Sequence, residues 1–350
     1  MSTAWQPAGE RQLRVGLIGL GVMGRNHLRV LGAHPGVEVV ALADPATDAL
    51  AAAIEATDAT GYAEPLALIA ESELDALVIA APTTTHVAIA LAALDRGLPV
   101  LIEKPVAATV DEALAILDAS RASGAPVAVG HVERFNPAVR ELGRLLDDGW
   151  LSTVFSIVSR RAGPFPARIR DVGVAVDLAT HDVDILSWIA GERPVRVYAE
   201  IARRVATDHE DLMFGLLHFR SGAVGMLDVN WLTPTKRRQL VVVGEEGMFE
   251  LDYLSQRLTY TESRDTTKPK LLGGYAPTFE GDVAVLPVTA AEPLAVELDD
   301  FVAVVQTGRR PTVDVVDGVW AVAMADALLS SARSGRPMDL SDLSSRLGAA

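Results

Sequence analysis

The feature that most constrains this chain is a glycine-rich turn between an apolar segment and a helical one. Gly19, Gly21 and Gly24 follow the apolar segment 15–18, and a helical pattern begins directly after them. In this context the first glycine permits a tight turn, the second lets the backbone approach a pyrophosphate, and the third lets the helix pack closely on the strand. The helix N-terminus then faces the anion. The turn therefore predicts a β-α-β unit that binds a dinucleotide.

An acidic residue follows the second apolar segment at the spacing that a dinucleotide site needs. Asp44 comes directly after the apolar run 39–43, about 20 residues beyond the glycine-rich turn. A carboxylate at this position can accept both ribose hydroxyls and repels a 2′-phosphate. No arginine follows it. The sequence therefore favours NAD over NADP, and the alternative is that the Asp-Pro pair only forms a turn.

Length and composition narrow the class of protein further. At 350 residues the chain is too long for one ordinary core, so two domains are expected. The net charge of −15, from 31 basic and 46 acidic residues, argues against nucleic acid or a membrane as partner. The lack of cysteine excludes disulfides and cysteine-bound zinc, and no metal is expected. A polar N-terminus and the lack of a long uninterrupted apolar stretch predict a soluble, cytoplasmic protein.

The first part of the chain alternates between apolar runs and helical patterns. Strands are predicted at residues 15–18, 37–43, 77–81, 99–102 and 126–130, and helices at 23–34, 47–56, 65–70, 85–96 and 110–123. The last helix begins at a capping-box spacing of Thr109 and Glu112 and stops at Gly124. Repeated β-α-β units build a doubly wound parallel sheet. We therefore expect an α/β protein with an N-terminal Rossmann domain over residues 1–131.

The pattern changes after residue 131. Strands are predicted at 153–161, 214–219, 223–229, 239–243 and 248–254, with a hairpin turn at 244–247. Helices are predicted at 137–147, 176–189, 294–307 and 315–334, and residues 262–289 have no regular pattern. Residues 132–350 are therefore expected to form an α+β domain with a large, mostly antiparallel open sheet.

Two groups of residues carry chemistry that suits a dehydrogenase. Lys104 follows the predicted strand 99–102, where a lysine can stabilise a developing alkoxide, although a surface lysine paired with Glu103 is the ordinary alternative. Asp177 and His181 lie one helical turn apart. A carboxylate in this position raises the basicity of a histidine and selects its tautomer, as a general base requires. A solvated acid–histidine pair is the alternative.

The segment 82–86 follows the predicted strand 77–81, at the carboxyl edge where such sheets bind ligands. Pro82, Thr83 and His86 are therefore predicted to contact the cofactor. Capping of the next helix by a neighbouring threonine is one alternative for this segment. A solvated His86 in the first helical turn is another.

These motifs, in this order, resemble the Gfo/Idh/MocA family of nicotinamide-dependent sugar and cyclitol oxidoreductases, and the resemblance covers nearly the whole chain. Residues 103–105 match the family's Glu-Lys-Pro segment, and Asp177, His181 and Asp184 match its D-x-x-x-H-x-x-D helix. The resemblance implies that Lys104 and His181 lie beside the nicotinamide and the oxidised carbinol, with Asp177 next to them. It also implies that residues 132–350 bind substrate and form homodimers or homotetramers through the open sheet.

Within the family, residues 130–138 and 165–173 resemble the branch that oxidises the 3-hydroxyl of UDP-N-acetylglucosamine. This likeness implies a 3-keto product and a pyridoxal-phosphate (PLP)-dependent aminotransferase as a functional partner. The second stretch keeps only Gly173 of a usually glycine-rich run, which we interpret as loop variation. In so acidic a protein a diphosphate needs local cations, and Arg168 and Arg170 are the candidates because guanidinium groups match phosphate oxygens.

The predicted site residues are as follows. The cofactor set is Gly19, Gly21, Val22, Met23, Gly24, Asp44, Pro82, Thr83, His86, Glu103 and Lys104. The substrate set is Arg134, Asn136, Arg168, Arg170, Asp177 and His181, and the catalytic set is Lys104, His181 and Asp177. Two other functions stay open, a free cyclitol or aldose dehydrogenase and a non-catalytic NAD-binding regulator. Retention of the complete catalytic set argues against the regulator.

Overall fold

The chain folds into two compact units. The computed structural model describes residues 5–165, 173–205, 208–263, 282–341, 343 and 347. The first unit contains residues 1–135 and 292–323, and the second contains 136–291 and 324–350. The observed division falls a few residues after the expected boundary at residue 131. It also differs from the expected one because a segment near the C-terminus belongs to the first unit.

The first unit is built on a six-stranded parallel sheet, as the Rossmann prediction requires. Its strands are β1 (Leu13–Ile18), β2 (Val37–Ala43), β3 (Thr60–Tyr62), β4 (Ala76–Ile79), β5 (Val100–Glu103) and β6 (Val127–Gly130). Their order across the sheet is β3-β2-β1-β4-β5-β6. The order reverses between β1 and β4, and ligands bind such sheets at the carboxyl ends of the strands at that point. The prediction missed β3, which has only three residues.

Five helices connect these strands. They are α1 (Val22–Ala33), α2 (Thr47–Glu55), α3 (Pro65–Glu71), α4 (Thr83–Asp95) and α5 (Val110–Ser123), each within two residues of its predicted range. The capping box of α5 is confirmed, because the Thr109 hydroxyl accepts from the Glu112 N–H and the Glu112 carboxylate accepts from the Thr109 N–H. Gly124 ends this helix with a φ of 72°, in the left-handed region.

The second unit contains a nine-stranded sheet. Its strands are β7 (Val154–Pro164), β8 (Arg196–Ala202), β9 (Leu212–His218), β10 (Val224–Asn230), β11 (Leu232–Gly244), β12 (Gly247–Asp252), β13 (Arg257–Glu262), β14 (Val283–Leu286) and β15 (Met338–Asp339). Their order is β14-β13-β12-β11-β7-β10-β9-β8-β15. The pairing is antiparallel except between β7 and β10, which confirms a mostly antiparallel sheet. The predicted hairpin joins β11 and β12.

The stretch 262–289 was expected to be irregular, and that prediction is wrong for residues 283–286. These residues form β14, which pairs with β13 at the edge of the sheet. Val283 and Val285 are each 62% exposed, so this strand lacks the alternation of buried and exposed residues that marks a strand in sequence.

Two helices of the second unit precede its main run of strands. They are α6 (Pro137–Asp147), which matches its prediction, and α7 (Thr180–Ala190). The predicted helix over 176–189 therefore differs at its start, where Ala175–Ala179 winds as a π-helix before α7 begins. Gly191 ends α7 in the left-handed conformation. A π-helical turn inside a helix is rare and occurs frequently at functional sites.

Two further helices are α8 (Pro293–Thr307) and α9 (Val315–Ser334). Helix α8 belongs to the first unit and supplies Leu298, Phe301, Val302 and Val305 to its core. Helix α9 begins in the first unit and ends in the second. Within the described residues, α9 is the one helix long and apolar enough to cross a membrane, but 67% of its apolar window is buried inside the protein. Because a buried core helix passes the same test, the length and composition of α9 are weak evidence for a membrane span.

Candidate active site

The glycine-rich turn has the geometry that a pyrophosphate cradle needs. Gly19 has a φ of 92°, and a Cβ there would lie 2.4 Å from the carbonyl oxygen of Ala80. A Cβ on Gly24 would lie 1.8 Å from the Gly19 carbonyl oxygen, so both positions exclude a side chain. A Cβ on Gly21 would meet no atom within 4 Å. The first and third glycines are therefore required by packing, while the second borders open space.

The N-terminus of α1 is free of a side-chain cap, which leaves it suited to an anion. Gly21 is its N-cap residue and has no side chain with which to accept a hydrogen bond from the first turn. Val22 and Met23, at the first two helical positions, are 53% and 37% exposed. Unpaired N–H groups and the helix dipole both favour a phosphate at such an end.

Asp44 joins the ends of the first two strands. Its Oδ2 accepts from the backbone N–H of Leu20 at 2.6 Å, and its Oδ1 accepts from Ala46 N–H at 2.8 Å. The bond to Ala46 closes an Asx turn, so Asp44 does form the turn that was the alternative interpretation of this residue. The side chain is half-buried, and each oxygen keeps a second lone pair for a ribose hydroxyl.

The start of α4 differs from both alternatives considered for segment 82–86. The helix begins at Thr83 after Pro82, and no side chain caps it; the Thr85 hydroxyl instead donates to the Pro82 carbonyl. His86 is buried, with Nδ1 at 3.0 Å from the Pro105 carbonyl oxygen and Nε2 at 2.8 Å from that of Ala81. Burial lowers the pKa of His86, and the hydrogen bonds to the backbone carbonyl groups offset this shift only in part. This ring thus links the end of β4 to the segment after Lys104, and its cofactor role stays a prediction.

Lys104 lies at the carboxyl end of β5, half-buried, and its peptide bond to Pro105 is cis. Glu103 is buried, and its Oε1 lies 2.7 Å from the Nε2 of His27 on α1. Burial would raise the pKa of Glu103, but the hydrogen bond from His27 and the charges of His27 and Lys104 hold it below its usual range. The acid of this motif is therefore an internal structural group rather than a surface partner of the lysine.

Asp177 and His181 lie in the second unit, on the π-helical turn and the first turn of α7. Both are half-buried. The predicted four-residue spacing is present, but it crosses the change from π to α winding rather than lying within one α-helix. Lys104 belongs to the first unit, so the two halves of the predicted catalytic set come from different units.

Gly173 precedes the π-helical turn, and its lack of a side chain has a structural cause. A Cβ there would lie 2.0 Å from the carboxylate oxygen Oε1 of Glu210. That same oxygen accepts a hydrogen bond from the backbone N–H of Ala175 at 3.1 Å, at the start of the turn that carries Asp177. Glu210 is therefore a supporting residue that the sequence did not reveal, because it is 33 positions distant from Asp177 in the chain.

Two predicted substrate residues have partners within the protein. Arg134 is buried, with a guanidinium nitrogen 3.6 Å from the carboxylate of Asp317. Asn136 caps α6 by accepting from Ala138 N–H, and its amide donates to the Tyr253 carbonyl oxygen. These bonds account for both residue types without a ligand, and their substrate role stays a prediction. Arg168 and Arg170 lie outside the described residues.

Arginines on β7 alternate as expected for a strand. Arg160 is exposed and pairs with Asp228, whereas Arg161 is buried. The Arg161 guanidinium contacts both carboxylate oxygens of Asp182 on α7, at 3.1 and 3.0 Å, and lies 5.4 Å from the Tyr253 ring centroid. This buried pair holds α7, and with it His181, against the sheet of the second unit.

The fold and the glycine loop define an NAD-binding oxidoreductase, and comparison with known proteins agrees. Residues 13–131 match the oxidoreductase family model with an NAD-binding Rossmann fold, and residues 139–250 match the GFO/IDH/MocA C-terminal domain. The chain belongs to the Gfo/Idh/MocA family of oxidoreductases.

Relatives with different substrates resemble the chain over most of its length. Inositol 2-dehydrogenase 2 of Saccharopolyspora erythraea is 31% identical, over 92% of this chain and 94% of its own length. UDP-N-acetylglucosamine 3-dehydrogenase of Acidithiobacillus ferrooxidans is 27% identical, over 89% and 95%. A crystal structure of the latter enzyme has a TM-score of 0.81 at 25% identity, covering 92% of this chain and 98% of that one.

The described residues fit NAD on their own geometry. The cradle excludes side chains at Gly19 and Gly24, and space is open at Gly21. The carboxylate of Asp44 is held at the end of β2 by two backbone N–H groups. When bound, NAD accepts a hydride, and the protein supplies the groups that hold the cofactor and move the proton.

Proposed function

We propose that this protein oxidises a ring hydroxyl of a sugar or cyclitol with NAD. The coarse activity, NAD-dependent oxidation of a CH–OH group, follows from family membership. The single observation that carries the proposal is that a complete proton-transfer set, Lys104, Asp177 and His181, accompanies the cofactor cradle. A protein that only senses NAD has no need of that set.

Each member of the set has a distinct proposed role. His181 accepts the proton of the hydroxyl as the hydride leaves for NAD, and Asp177 sets its tautomer and raises its basicity. Lys104 donates a hydrogen bond to the same oxygen and stabilises the developing alkoxide charge. Pro82, Thr83, His86 and Glu103 complete the proposed cofactor surface.

For the substrate, we propose the 3-hydroxyl of a UDP-N-acetylhexosamine, most simply UDP-N-acetylglucosamine, with a 3-keto product. The resemblance of residues 130–138 and 165–173 supports this choice, as does a relative of 27% identity with that activity in its name. Arg134, Asn136, Arg168 and Arg170 are the proposed substrate contacts. A keto sugar of this kind is a substrate for a PLP-dependent aminotransferase, which would be a functional partner in the cytoplasm.

A free cyclitol is the second candidate substrate, and one observation favours it. The inositol 2-dehydrogenase of S. erythraea is more similar, at 31% identity against 27%. A cyclitol carries no diphosphate, so it needs no cluster of cations in a protein with a net charge of −15.

We also propose that the protein is a homo-oligomer that associates through the open sheet. Four large apolar side chains on β9 and β10, Phe214, Leu216, Val224 and Met226, are 40–50% exposed. They share one face, because Leu216 pairs directly with Met226 across the two strands. Contiguous exposed apolar surface of this kind marks an interaction site.

The decisive experiment measures NADH formation over a panel of UDP-sugars and free cyclitols, followed by identification of the oxidised carbon. Turnover of UDP-N-acetylglucosamine with a 3-keto product supports the nucleotide-sugar proposal. Turnover of inositols alone replaces it with the cyclitol dehydrogenase. NAD binding without turnover of any member favours a non-catalytic regulator.

A further inference from the structure

Three ionisable side chains lie close together in the interior of the first unit. His27 of α1, Glu103 at the end of β5 and Glu297 of α8 each place a nitrogen or oxygen atom within 4.8 Å of the others. Their residues are 0%, 8% and 1% exposed. Buried ionisable groups are costly unless they are paired, so such a cluster needs a physical account.

Glu103 connects two parts of the proposed site. Its Oε1 lies 2.7 Å from His27 Nε2, and its Oε2 accepts from the backbone N–H of Lys104 at 3.2 Å. His27 stands on α1, whose N-terminus forms the glycine cradle. One carboxylate thus joins the helix proposed to bind the pyrophosphate to the backbone of the proposed catalytic lysine.

Glu297 faces this pair without a hydrogen bond of its own. Neither of its carboxylate oxygens has a partner among the described residues, and both are buried. Burial, together with the nearby charges of Glu103 and Asp300, raises the pKa of Glu297 well above its usual range. A carboxyl group that is buried without a hydrogen-bond partner among the described residues favours its neutral, protonated form.

A bound metal ion is the obvious competing account of two carboxylates and a histidine. Two ligand atoms at about 2.0–2.1 Å from a tetrahedral ion lie roughly 3.3 Å apart. The separation of 2.7 Å between His27 Nε2 and Glu103 Oε1 is instead that of a charge-assisted hydrogen bond. The distance between these two atoms therefore fits a hydrogen bond between His27 and Glu103 better than the coordination of one metal ion by both residues.

We propose that His27, Glu103 and Glu297 form a buried clamp that holds one proton on the Glu297 carboxyl and fixes the backbone of Lys104 relative to the glycine cradle. His27 and Glu297 are then positioning residues, which touch neither substrate nor cofactor. The proton prevents two adjacent carboxylates from repelling each other. It leaves Glu103 ionised to bind His27 and the Lys104 N–H. The positioning role rests on the proposed function of Lys104, whereas the proton on Glu297 does not.

Other charged groups near α8 form ion pairs and hydrogen bonds with residues outside the clamp. Arg29 of α1 pairs with Glu292, and Asp300 pairs with Arg309 and accepts from the Thr312 hydroxyl. The remaining ionisable groups on the elements packed against α8 are Arg25 of α1 and Glu133 and Arg134 of the 3-10 turn (Val132–Phe135). His34, the C-cap residue of α1, pairs with Asp299.

The first test compares the pH dependence of unfolding in wild type and Glu297→Gln. In the unfolded chain Glu297 ionises near pH 4.3, whereas in the folded protein it keeps its proton to a higher pH. The folded protein thus binds the extra proton, and the stability that this proton contributes falls as pH rises above about 5. The neutral glutamine removes this dependence. The ratio of the wild-type to the variant unfolding constant should therefore rise, by up to about tenfold per pH unit, from about pH 5 until Glu297 ionises in the folded protein.

Two further variants keep this test decisive. Glu55→Gln removes an exposed carboxylate of the same unit, and its stability should follow wild type at every pH. Glu297→Met, neutral and of similar volume, replaces Glu297→Gln if the amide prevents folding. Parallel pH curves for wild type and either Glu297 variant would overturn the proton on Glu297. So would a stoichiometric metal in purified protein that is lost in Glu297→Gln.

The second test addresses positioning. His27→Leu removes the donor to Glu103 and should lower kcat about tenfold while the Kd for NAD changes less than twofold. His27→Gln places an amide donor near the position of Nε2 and should restore most of kcat. Equal losses in both variants, or a loss confined to NAD binding, would overturn the clamp. If Lys104→Ala retains normal kcat, the proposed function fails, and the pH test on Glu297 is still interpretable.

Discussion

The carboxylate of Asp44 accepts a hydrogen bond from the backbone N–H of Leu20, inside the glycine-rich turn, at 2.6 Å. The residue predicted to select the cofactor ribose therefore also holds the loop predicted to bind its pyrophosphate. Substitutions at this position act on both, and their design has to separate the two effects.

For cofactor choice, we expect NAD to bind at least tenfold more tightly than NADP, about 1.4 kcal/mol. Asp44→Asn keeps an oxygen acceptor but removes the charge, so it should narrow the preference, chiefly through improved NADP binding. Asp44→Ala also frees the Leu20 N–H and should weaken both cofactors. Fluorescence titration measures each Kd, with Asp48→Asn, an exposed acid in α2, as control. Wild-type preference for NADP would show that Asp44 does not bind the ribose diol.

The glycine cradle offers a matched pair of alanine substitutions. Gly24→Ala puts a methyl group 1.8 Å from a backbone oxygen and should lower the free energy of unfolding by about 1–3 kcal/mol. Gly21→Ala meets open space and should change it by less than about 0.5 kcal/mol, while weakening NAD at least roughly tenfold. Thermal unfolding and NAD titration separate the two. Normal NAD affinity in Gly21→Ala would mean that the backbone does not approach the cofactor there.

For catalysis, Lys104→Ala and His181→Ala should each lower kcat by roughly 10²-fold or more, because one removes alkoxide stabilisation and the other the base. NAD binding and folding should persist in both. Lys236→Ala, on an exposed part of β11, is the control for a lost lysine. Steady-state kinetics on the best panel substrate provides the measurement. Near-normal turnover in His181→Ala would assign proton removal to Lys104 or to water.

The support of the π-helical turn can be tested by a double-mutant cycle. Gly173→Ala should destabilise the protein, since its methyl group would overlap the Glu210 carboxylate. Glu210→Ala relieves that overlap but leaves the Ala175 N–H without its acceptor. The two changes together should cost less than their sum, with a coupling of about 0.5–3 kcal/mol. Additive losses would show that the two residues do not interact.

Substrate binding gives the last prediction, for Arg168 and Arg170. If both contact a diphosphate, UDP should compete with substrate, and its affinity should fall as salt rises. Arg168→Ala or Arg170→Ala should then raise KM more than it lowers kcat, because the contact is remote from the reacting carbon. Inhibition by UDP at several salt concentrations provides the measurement. No inhibition and an unchanged KM in both variants would leave the cyclitol as the better substrate.

The sequence predicted those parts of the fold that depend on residues close together in the chain. Helix α5 was predicted to the residue because the Thr109–Glu112 box and Gly124 define its two ends. The glycine cradle was predicted because its conformational requirements are met by adjacent residues. Strand β14 was not, since an exposed edge strand has no buried face to mark it.

The rest of the site depends on contacts between distant positions. In sequence, Glu297 is one polar residue in an ordinary helical pattern, and His27 is one in α1. Their burial beside Glu103 is decided by the packing of α8 on the first unit. The contact between Glu210 and Gly173 likewise exists only in the folded chain, so neither residue could be recognised from its sequence neighbours. Local patterns carry no record of such long-range juxtapositions.

The membership of α8 in the first unit bears on how the protein is made. The core of that unit lacks Leu298, Phe301, Val302 and Val305 until about six-sevenths of the chain has been translated. A nascent chain that ends after β6 therefore exposes the apolar surface that α8 later covers. The ribosome therefore synthesises strands β7 to β14 of the second unit before it completes the core of the first. Until α8 is made, the N-terminal segment cannot bury the apolar surface that this helix covers.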